Sequence, residues 1–186
     1  MPNTYRLTKF LRGQHGSDAK MPDEWHVGSR VVLLDQLPDQ VTIPTAARGQ
    51  PRHYRYGPAS RPLGDPTYRY EVQSFQGEGW RPYRVAHLKA KRTNADLKVS
   101  WIRRTRVEGD LWKDTEVPLG EAEERYHIEV RQAGDVVRTQ TTTSEDWIYQ
   151  AADQSSELGA GSFEIAVAQT SDRYGIGPFQ IVTLTN

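Results

Sequence analysis

The sequence predicts an all-β protein with two domains, an irregular N-terminal β domain at residues 1–80 and a β-sandwich at residues 81–186. Three observations lead to this prediction. From residue 86 onward, apolar and polar residues alternate in short runs, which is the period of half-buried strands. Turn-forming residues separate these runs. The stretch GEGWRP at 77–82 marks the change of pattern and is interpreted as the linker.

The apolar residues are few but large. Hydrophobic residues make up 36% of the 186 positions, and they include five Trp, nine Tyr and four Phe. Aromatic side chains bury large areas, so they offset the low apolar content and argue against disorder. We therefore expect a folded chain, part of whose surface is completed by a partner.

The composition excludes several classes of function. The chain has no Cys, which rules out disulfides, thiolate zinc sites and thiol catalysis. The 24 basic and 24 acidic residues cancel, so the chain lacks the basic footprint of a nucleic-acid-binding domain. No stretch approaches the ~20 apolar residues that span a bilayer. The N-terminus lacks the pattern of a signal peptide, so we expect synthesis in a cytoplasm.

The first domain is predicted to contain short, irregular strands. The apolar positions place them at residues 5–11, 27–34, 41–44, 53–56 and 68–75. Residues 57–66, GPASRPLGDP, are too rich in glycine and proline for regular structure. We expect this segment to lie against a surface, in a contact with another protein.

The second domain is predicted to contain seven strands in about 100 residues, the signature of a small β-sandwich. They fall at residues 86–90, 97–101, 126–130, 136–143, 147–149, 163–167 and 179–184. Residues 144–158 also admit a helix. Because Trp147, Ile148 and Tyr149 favour extended backbone, we predict a strand there, followed by a turn through residues 153–161.

This second domain resembles a fibronectin type III domain along its whole length. The resemblance rests on LKVSW at 97–101, YHIEV at 126–130, FEIAVAQ at 163–169 and YGIGPF at 174–179. It implies that Trp101 packs at the centre of the core. The sequence departs from the family at Phe163, where family members more often have the tyrosine whose hydroxyl makes the tyrosine-corner hydrogen bond.

A second resemblance covers nearly the whole chain. The sequence is similar to the C-terminal region of the tail-hub, or host-specificity, proteins of gene transfer agents and related siphophages. It rests on YRLTKFLRGQHG at 5–16, YRYGPASRP at 54–62, RPY at 81–83, HL at 87–88, WIRRTR at 101–106 and RYGIGPF at 173–179. Members of that family are much longer and carry a glycosidase-like barrel ahead of this region. No activity of that barrel is carried over.

Residue patterns for catalysis or metal binding are missing from the sequence. The five His residues show no ligand spacing such as His-x-x-x-His. The carboxylates at 23–24 and 121–124 are sequence neighbours on loops, whereas a glycosidase needs two carboxyl groups facing each other across a cleft. No nucleophile elbow, phosphate loop or dinucleotide motif occurs. We predict a protein without enzymatic activity, cofactor or metal.

Five residues are predicted to contact partners: Arg103, Arg104, Arg106, Trp112 and Tyr174. The arginines form the densest basic cluster. They either protect a strand edge by charge or pair with the 121–124 loop of a neighbouring subunit. One local cluster on a neutral chain argues against DNA binding. The two aromatic residues lie in predicted loops, where they either stack on sugars, anchor a partner protein or are buried for structural reasons.

The resemblance to tail hubs implies the function. We expect a structural component of a phage or gene-transfer-agent tail tip, in the hub or baseplate region, that links the tail to receptor-binding parts and assists host attachment. The implied assembly is a homotrimer around the tail axis, in contact with other tail-tip proteins. The alternative is a receptor- or carbohydrate-binding module that itself contacts the host surface.

Overall fold

Two units divide the chain. The computed structural model describes residues 6–31, 41–109 and 117–185. One unit comprises Glu24–Glu78, and the other comprises Met1–Asp23 and Gly79–Asn186. The unit that contains the sandwich thus also includes the N-terminal residues up to Asp23. The predicted division between residues 80 and 81 had assigned those residues to the first domain.

The larger unit is a sandwich of two antiparallel sheets. Its strands, numbered after β1 and β2 of the smaller unit, are β3 (Ala86–Thr93), β4 (Asp96–Ile102), β5 (Tyr126–Gln132), β6 (Asp135–Thr142), β7 (Asp146–Tyr149), β8 (Ser162–Ser171), β9 (Gly175–Ile176) and β10 (Gln180–Thr185). One sheet has three strands in the order β3-β4-β7, and the other has the order β10-β8-β5-β6 with the short β9 beside β8. The predicted all-β fold class with a fibronectin type III-like sandwich is confirmed.

The core lies between the two sheets and follows the alternation of the sequence. Every second residue of β4, β5 and β8 points inward, because successive side chains of a strand lie on opposite faces. The buried inward residues include Leu97, Val99, Trp101, Tyr126, Ile128, Val130, Phe163, Ile165 and Val167. The indole of Trp101 contacts the ring of Tyr126 edge-on, with centroids 5.1 Å apart.

One helix interrupts the β pattern. Helix α1 (Ala151–Glu157) follows β7 directly, where the sequence predicted a turn from residue 153. The prediction was wrong because the start of the helix is stabilised by a residue of another strand. The Asp96 carboxylate accepts a 2.8 Å hydrogen bond from the Ala151 N–H, one of the orphan donors of a helix N-terminus. The strand predicted at 147–149 is present in β7.

A two-residue turn joins β5 to β6. Gln132 pairs with Asp135, and both Ala133 and Gly134 have positive φ, at 52° and 95°. This conformation is a type I′ turn, which favours Asn-Gly and strains an alanine.

We expect Ala133→Asn to raise the free energy of unfolding by about 0.5–1 kcal/mol, measured by urea denaturation. Ala133→Val is the matched control and should destabilise. Equal stability of both variants would contradict the turn assignment.

The smaller unit is built on one hairpin. Strand β1 (Arg52–Tyr56) pairs antiparallel with β2 (Arg69–Gln73), at two of the predicted strand positions. A short 3₁₀ helix covers Thr45–Ala47. The glycine- and proline-rich segment between the strands is irregular, as predicted. The Tyr68 hydroxyl lies 3.2 Å from both the Pro58 and the Arg61 carbonyl oxygens.

Three predicted strands do not form in the described residues. Residues 6–11, 27–31 and 41–44 are extended or irregular and pair with no described strand, and residues 14–20 form a 3₁₀ helix (Gln14–Lys20). Residues 5 and 32–34 of these predictions lie outside the described residues. The predictions at 6–11 and 41–44 were wrong because apolar composition alone does not satisfy the backbone, whereas the apolar run behind the strand predicted at 27–34 lies mostly outside the described residues. A strand requires a neighbour for its N–H and C=O groups.

Candidate interaction surfaces

The predicted arginines follow the end of β4. Arg103, Arg104 and Arg106 begin one residue beyond Ile102, where the chain leaves the three-stranded sheet, and all three side chains are half-buried. Their guanidinium groups bind to residues of this same chain. The cluster is therefore a set of internal connections as well as a surface feature.

Arg103 joins the end of the sheet to two loops. Its backbone N–H donates a 2.6 Å hydrogen bond to the Glu145 carboxylate. Its guanidinium donates to the carbonyl oxygens of Pro118 at 3.1 Å and Val117 at 3.0 Å. Charge-assisted bonds of this kind fix loop positions.

Arg104 ties the sandwich to the N-terminal segment. Asp18, on the 3₁₀ helix, accepts hydrogen bonds on Oδ2 from Arg104 at 3.1 Å and Arg84 at 3.0 Å. Arg104 also lies over the Tyr83 ring, 5.4 Å from its centroid. Burial alone would raise the pKa of Asp18, but the two guanidinium groups outweigh it and hold the pKa below its usual value.

This cluster predicts a pH dependence. Because the pKa of Asp18 is lower in the folded chain, its contribution to stability is present above the unfolded-state pKa and is lost as pH falls through the folded-state pKa. We expect Asp18→Asn to lower the free energy of unfolding by about 1 kcal/mol at neutral pH, since water screens the partly exposed arginines. The difference from wild type should shrink in acid.

Asp172→Asn provides the matched control for this experiment. Asp172 pairs with Arg125 at 3.4 Å in a more exposed position, so its loss should have little effect. Urea denaturation across the acidic range measures both variants. A difference between Asp18→Asn and wild type that does not change with pH would contradict the ionic role of Asp18.

Arg106 binds the acidic loop of its own chain. Its Nη2 lies 2.8 Å from the Glu121 carboxylate, and its guanidinium lies 5.1 Å from the centroid of the Tyr174 ring. The predicted pairing with residues 121–124 of a neighbouring subunit therefore has an intramolecular counterpart at Glu121. Tyr174 also contacts the ring of Trp80, with centroids 5.6 Å apart.

An open cleft of about 700 Å³ lies beside these arginines. Its lining includes Gln14, Tyr83, Arg103, Arg104 and Arg106. The structure thus brings together three of the five predicted contact residues at one cleft and places Tyr174 against Arg106. Trp112 lies outside the described residues. Nothing in the sequence marked Asp18 as a contact residue, and Tyr83 entered only within the string RPY at 81–83, because the roles of both depend on partners distant in the chain.

A second surface belongs to the hairpin unit. Tyr54 faces Glu71 and Tyr56 faces Arg69 across the two strands, and the Tyr56 hydroxyl donates a 2.7 Å hydrogen bond to Glu71. On the opposite face, His53 hydrogen-bonds Tyr70. The rings of Tyr54 and Phe75 meet edge-on with centroids 6.2 Å apart. Every residue of β2 is exposed.

The described residues offer no metal centre and no membrane-spanning helix. Within residues 6–31, 41–109 and 117–185, no three His, Asp or Glu side chains gather as metal ligands. The helices of the same ranges are too short or too polar to cross a bilayer.

Comparison with known proteins gives similarities of fold only. No protein-family model and no curated protein matches the sequence. The chain is similar to domains d3–d4 of the rat CD45 extracellular region, at 14% identity and a TM-score of 0.43, over 99% of this chain and 82% of that chain. It is also similar to the sixth fibronectin type III domain of human fibronectin type III domain containing protein 3, at 18% identity and a TM-score of 0.35, over 56% and 85%.

A third similar structure is the FN5 domain of Drosophila Lar, at 17% identity and a TM-score of 0.34, over 56% of this chain and 98% of that domain. Scores this low carry no conclusion about function. The fold class is assigned from the strand order and the shared core of the two sheets.

Proposed function

We propose that this chain is a structural component of the tail tip of a phage or gene transfer agent. In this role it links the tail to receptor-binding parts and assists attachment to the host, without catalysing a reaction. The observation that carries the proposal is the hairpin unit, whose described residues form no hydrophobic core of their own and leave large apolar side chains for a partner surface to cover.

The burial of the hairpin unit supports this reading. Among its described residues, 24–31 and 41–78, only Ala47 is buried. Large apolar side chains remain exposed, including Tyr56, Leu63, Tyr70, Val72 and Phe75. A two-stranded hairpin is marginally stable in water, because one pair of strands cannot bury a face. Contact with another protein would cover these side chains and stabilise the unit.

The sandwich unit supports a mechanical role. Its core is complete, and its loops are cross-linked by Arg103, Arg104 and Arg106 to groups of the same chain. Close-packed interiors resist deformation. Such a module suits a rigid spacer between a docked end and a distal binding part.

The sequence resemblance supplies the setting. The string at 54–62 lies in the hairpin region, the part we assign to docking, and the string at 5–16 lies in the N-terminal segment. By this resemblance the chain forms a homotrimer around the tail axis and contacts other tail-tip or baseplate proteins. It is made in the bacterial host cytoplasm and ends in the virion tail tip.

Incorporation into particles tests this function. An epitope-tagged chain should co-purify with intact particles and label the tail tip in electron micrographs. Tyr70→Ala combined with Val72→Asp should abolish incorporation, because it removes apolar contacts from the hairpin. Val136→Ser, at an exposed position of β6, is the matched control and should be incorporated normally. Absence of the wild-type chain from particles, or normal incorporation of the hairpin variant, would overturn the proposal.

A receptor- or carbohydrate-binding module is the second candidate. The observation that favours it is the open cleft, because guanidinium groups and the Tyr83 ring can bind acidic and ring-shaped groups of a sugar. A glycan array separates the two functions. Reproducible binding of a sugar that is lost on Tyr83→Ala would favour the second candidate. The absence of any bound glycan would favour the structural one.

A further inference from the structure

The outer face of the three-stranded sheet carries an unusual set of charges. Lys91 of β3 lies directly opposite Lys98 of β4, and Lys89 lies opposite Ser100. Because Leu97, Val99 and Trp101 point into the core, Lys98 and Ser100 point outward with their strand partners. Three lysines therefore share one exposed face.

The lysine pair breaks a rule of sheet stability. Like charges directly opposite each other on neighbouring strands are destabilising. Lys98 has one counter-ion, Asp146, at 3.5 Å in an exposed pair, which compensates little. Among the described residues, Lys89 and Lys91 have no hydrogen-bond or ion-pair partner. Charge repulsion that the rest of the fold does not offset is typical of a functional surface.

Aliphatic side chains accompany the lysines. Ile148 lies opposite Lys98 on β7, and Ile102 lies four residues beyond Lys98 on the same face of β4. Both isoleucines are 53% exposed. The face thus combines flexible cations with two apolar groups on one sheet surface.

We infer that this face, formed by Lys89, Lys91, Lys98, Ile102 and Ile148, binds the surface of an anionic lipid bilayer. Lysines near such a surface are attracted by its negative potential, and aliphatic side chains beside them enter the boundary between headgroups and acyl chains. Lysine stems lie along apolar surface while the ammonium groups reach the phosphates.

Other anionic partners fit this face less well. The outward residues of the paired positions include Lys89, Lys91, Thr93, Asp96, Lys98, Ser100, Ile102, Asp146 and Ile148 and contain neither arginine nor an aromatic ring, and the three lysines outnumber the two carboxylates. Sugar recognition and single-stranded nucleic-acid binding rely on aromatic stacking. A second copy of the chain is also disfavoured, because its acidic loop is already paired through Glu121 with Arg106 and through Glu123 with Arg125.

The inference goes beyond the proposed structural role and is tested separately from it. The intact chain is sedimented with vesicles of phosphatidylcholine alone or mixed with phosphatidylglycerol. We expect binding only to the mixed vesicles, weakening as salt is added because the attraction is electrostatic. Lys89→Glu combined with Lys91→Glu should weaken binding about tenfold or more, given the contribution of each lysine at an anionic surface. Ile148→Ser should weaken it several-fold.

Two controls keep the test decisive. Arg6→Glu combined with Lys9→Glu makes the same change in net charge at exposed positions elsewhere and should bind as wild type does. The Lys89→Glu, Lys91→Glu variant should be no less heat-stable than wild type, because a carboxylate then faces Lys98. The inference is overturned if wild type ignores the mixed vesicles, if the control variant loses binding equally, or if immobilised dextran sulfate retains the chain while vesicles do not.

Discussion

Trp101→Ala is expected to destabilise the sandwich by about 3–5 kcal/mol, the cost of removing a large aromatic side chain from a packed core. Trp101 is 3% exposed and contacts Tyr126, which hydrogen-bonds the Glu124 carboxylate at 2.6 Å. Its removal leaves a cavity between the two sheets and removes the aromatic contact with the Tyr126 ring. The loss is a large fraction of the 5–15 kcal/mol that stabilises a typical domain.

Urea denaturation followed by circular dichroism measures this effect without relying on tryptophan fluorescence. Ile102→Ala is the matched control, because Ile102 is the next residue of β4 and lies on the exposed face. A substitution there is expected to change stability by no more than about 0.5 kcal/mol. Equal losses for the two variants would show that Trp101 is not the centre of the core.

Gln154→Ala is expected to cost about 2–3 kcal/mol, because it leaves buried polar groups without partners. Gln154 lies on α1 and is 4% exposed. Its amide donates a 2.7 Å hydrogen bond to the Tyr149 carbonyl, and its Oε1 accepts one from Arg92 at 3.2 Å. The side chain thus connects the helix to β7 and to β3.

Ser155→Ala controls for the helix itself. Ser155 is exposed on the same helix and donates to the Ala151 carbonyl within it, so its replacement by a better helix former should change stability by less than about 0.5 kcal/mol. The same denaturation experiment applies to both variants. A Gln154→Ala loss no larger than that of Ser155→Ala would contradict a structural role for the buried amide.

The helix found where a turn was predicted, and the predicted strands that do not form, have one cause. Residues 147–157 contain a strand signal followed by polar residues, and nothing local indicates that Asp96 reaches the start of α1 from 55 positions away. In the N-terminal segment, apolar residues such as Phe10 and Leu11 suggested a strand but remain exposed, and no described strand pairs with them. In both cases the deciding hydrogen-bond partner, present or absent, is not encoded in the segment.

The candidate site shows the same division. The run WIRRTR at 101–106 marked the arginines, and YGIGPF at 174–179 marked Tyr174, from the sequence alone. That Arg104 binds Asp18 from 86 residues away, and Arg106 the acidic loop of its own chain, became visible only in three dimensions. The conflict between Lys91 and Lys98 likewise depends on strand register, which sets the pairs across a sheet.

The sequence by itself determined the sandwich and its core, because the alternation of apolar residues with period two already assigns each side chain of β4, β5 and β8 to a face. Tertiary structure alone decided the ion pairs, the start of α1, the lysine face and the exposure of the hairpin side chains. The physical reason is the sequence separation of the interacting residues. Burial alternates between neighbouring residues of a strand, whereas a hydrogen bond or an ion pair needs a partner that is distant in the sequence and comes near only in the folded chain.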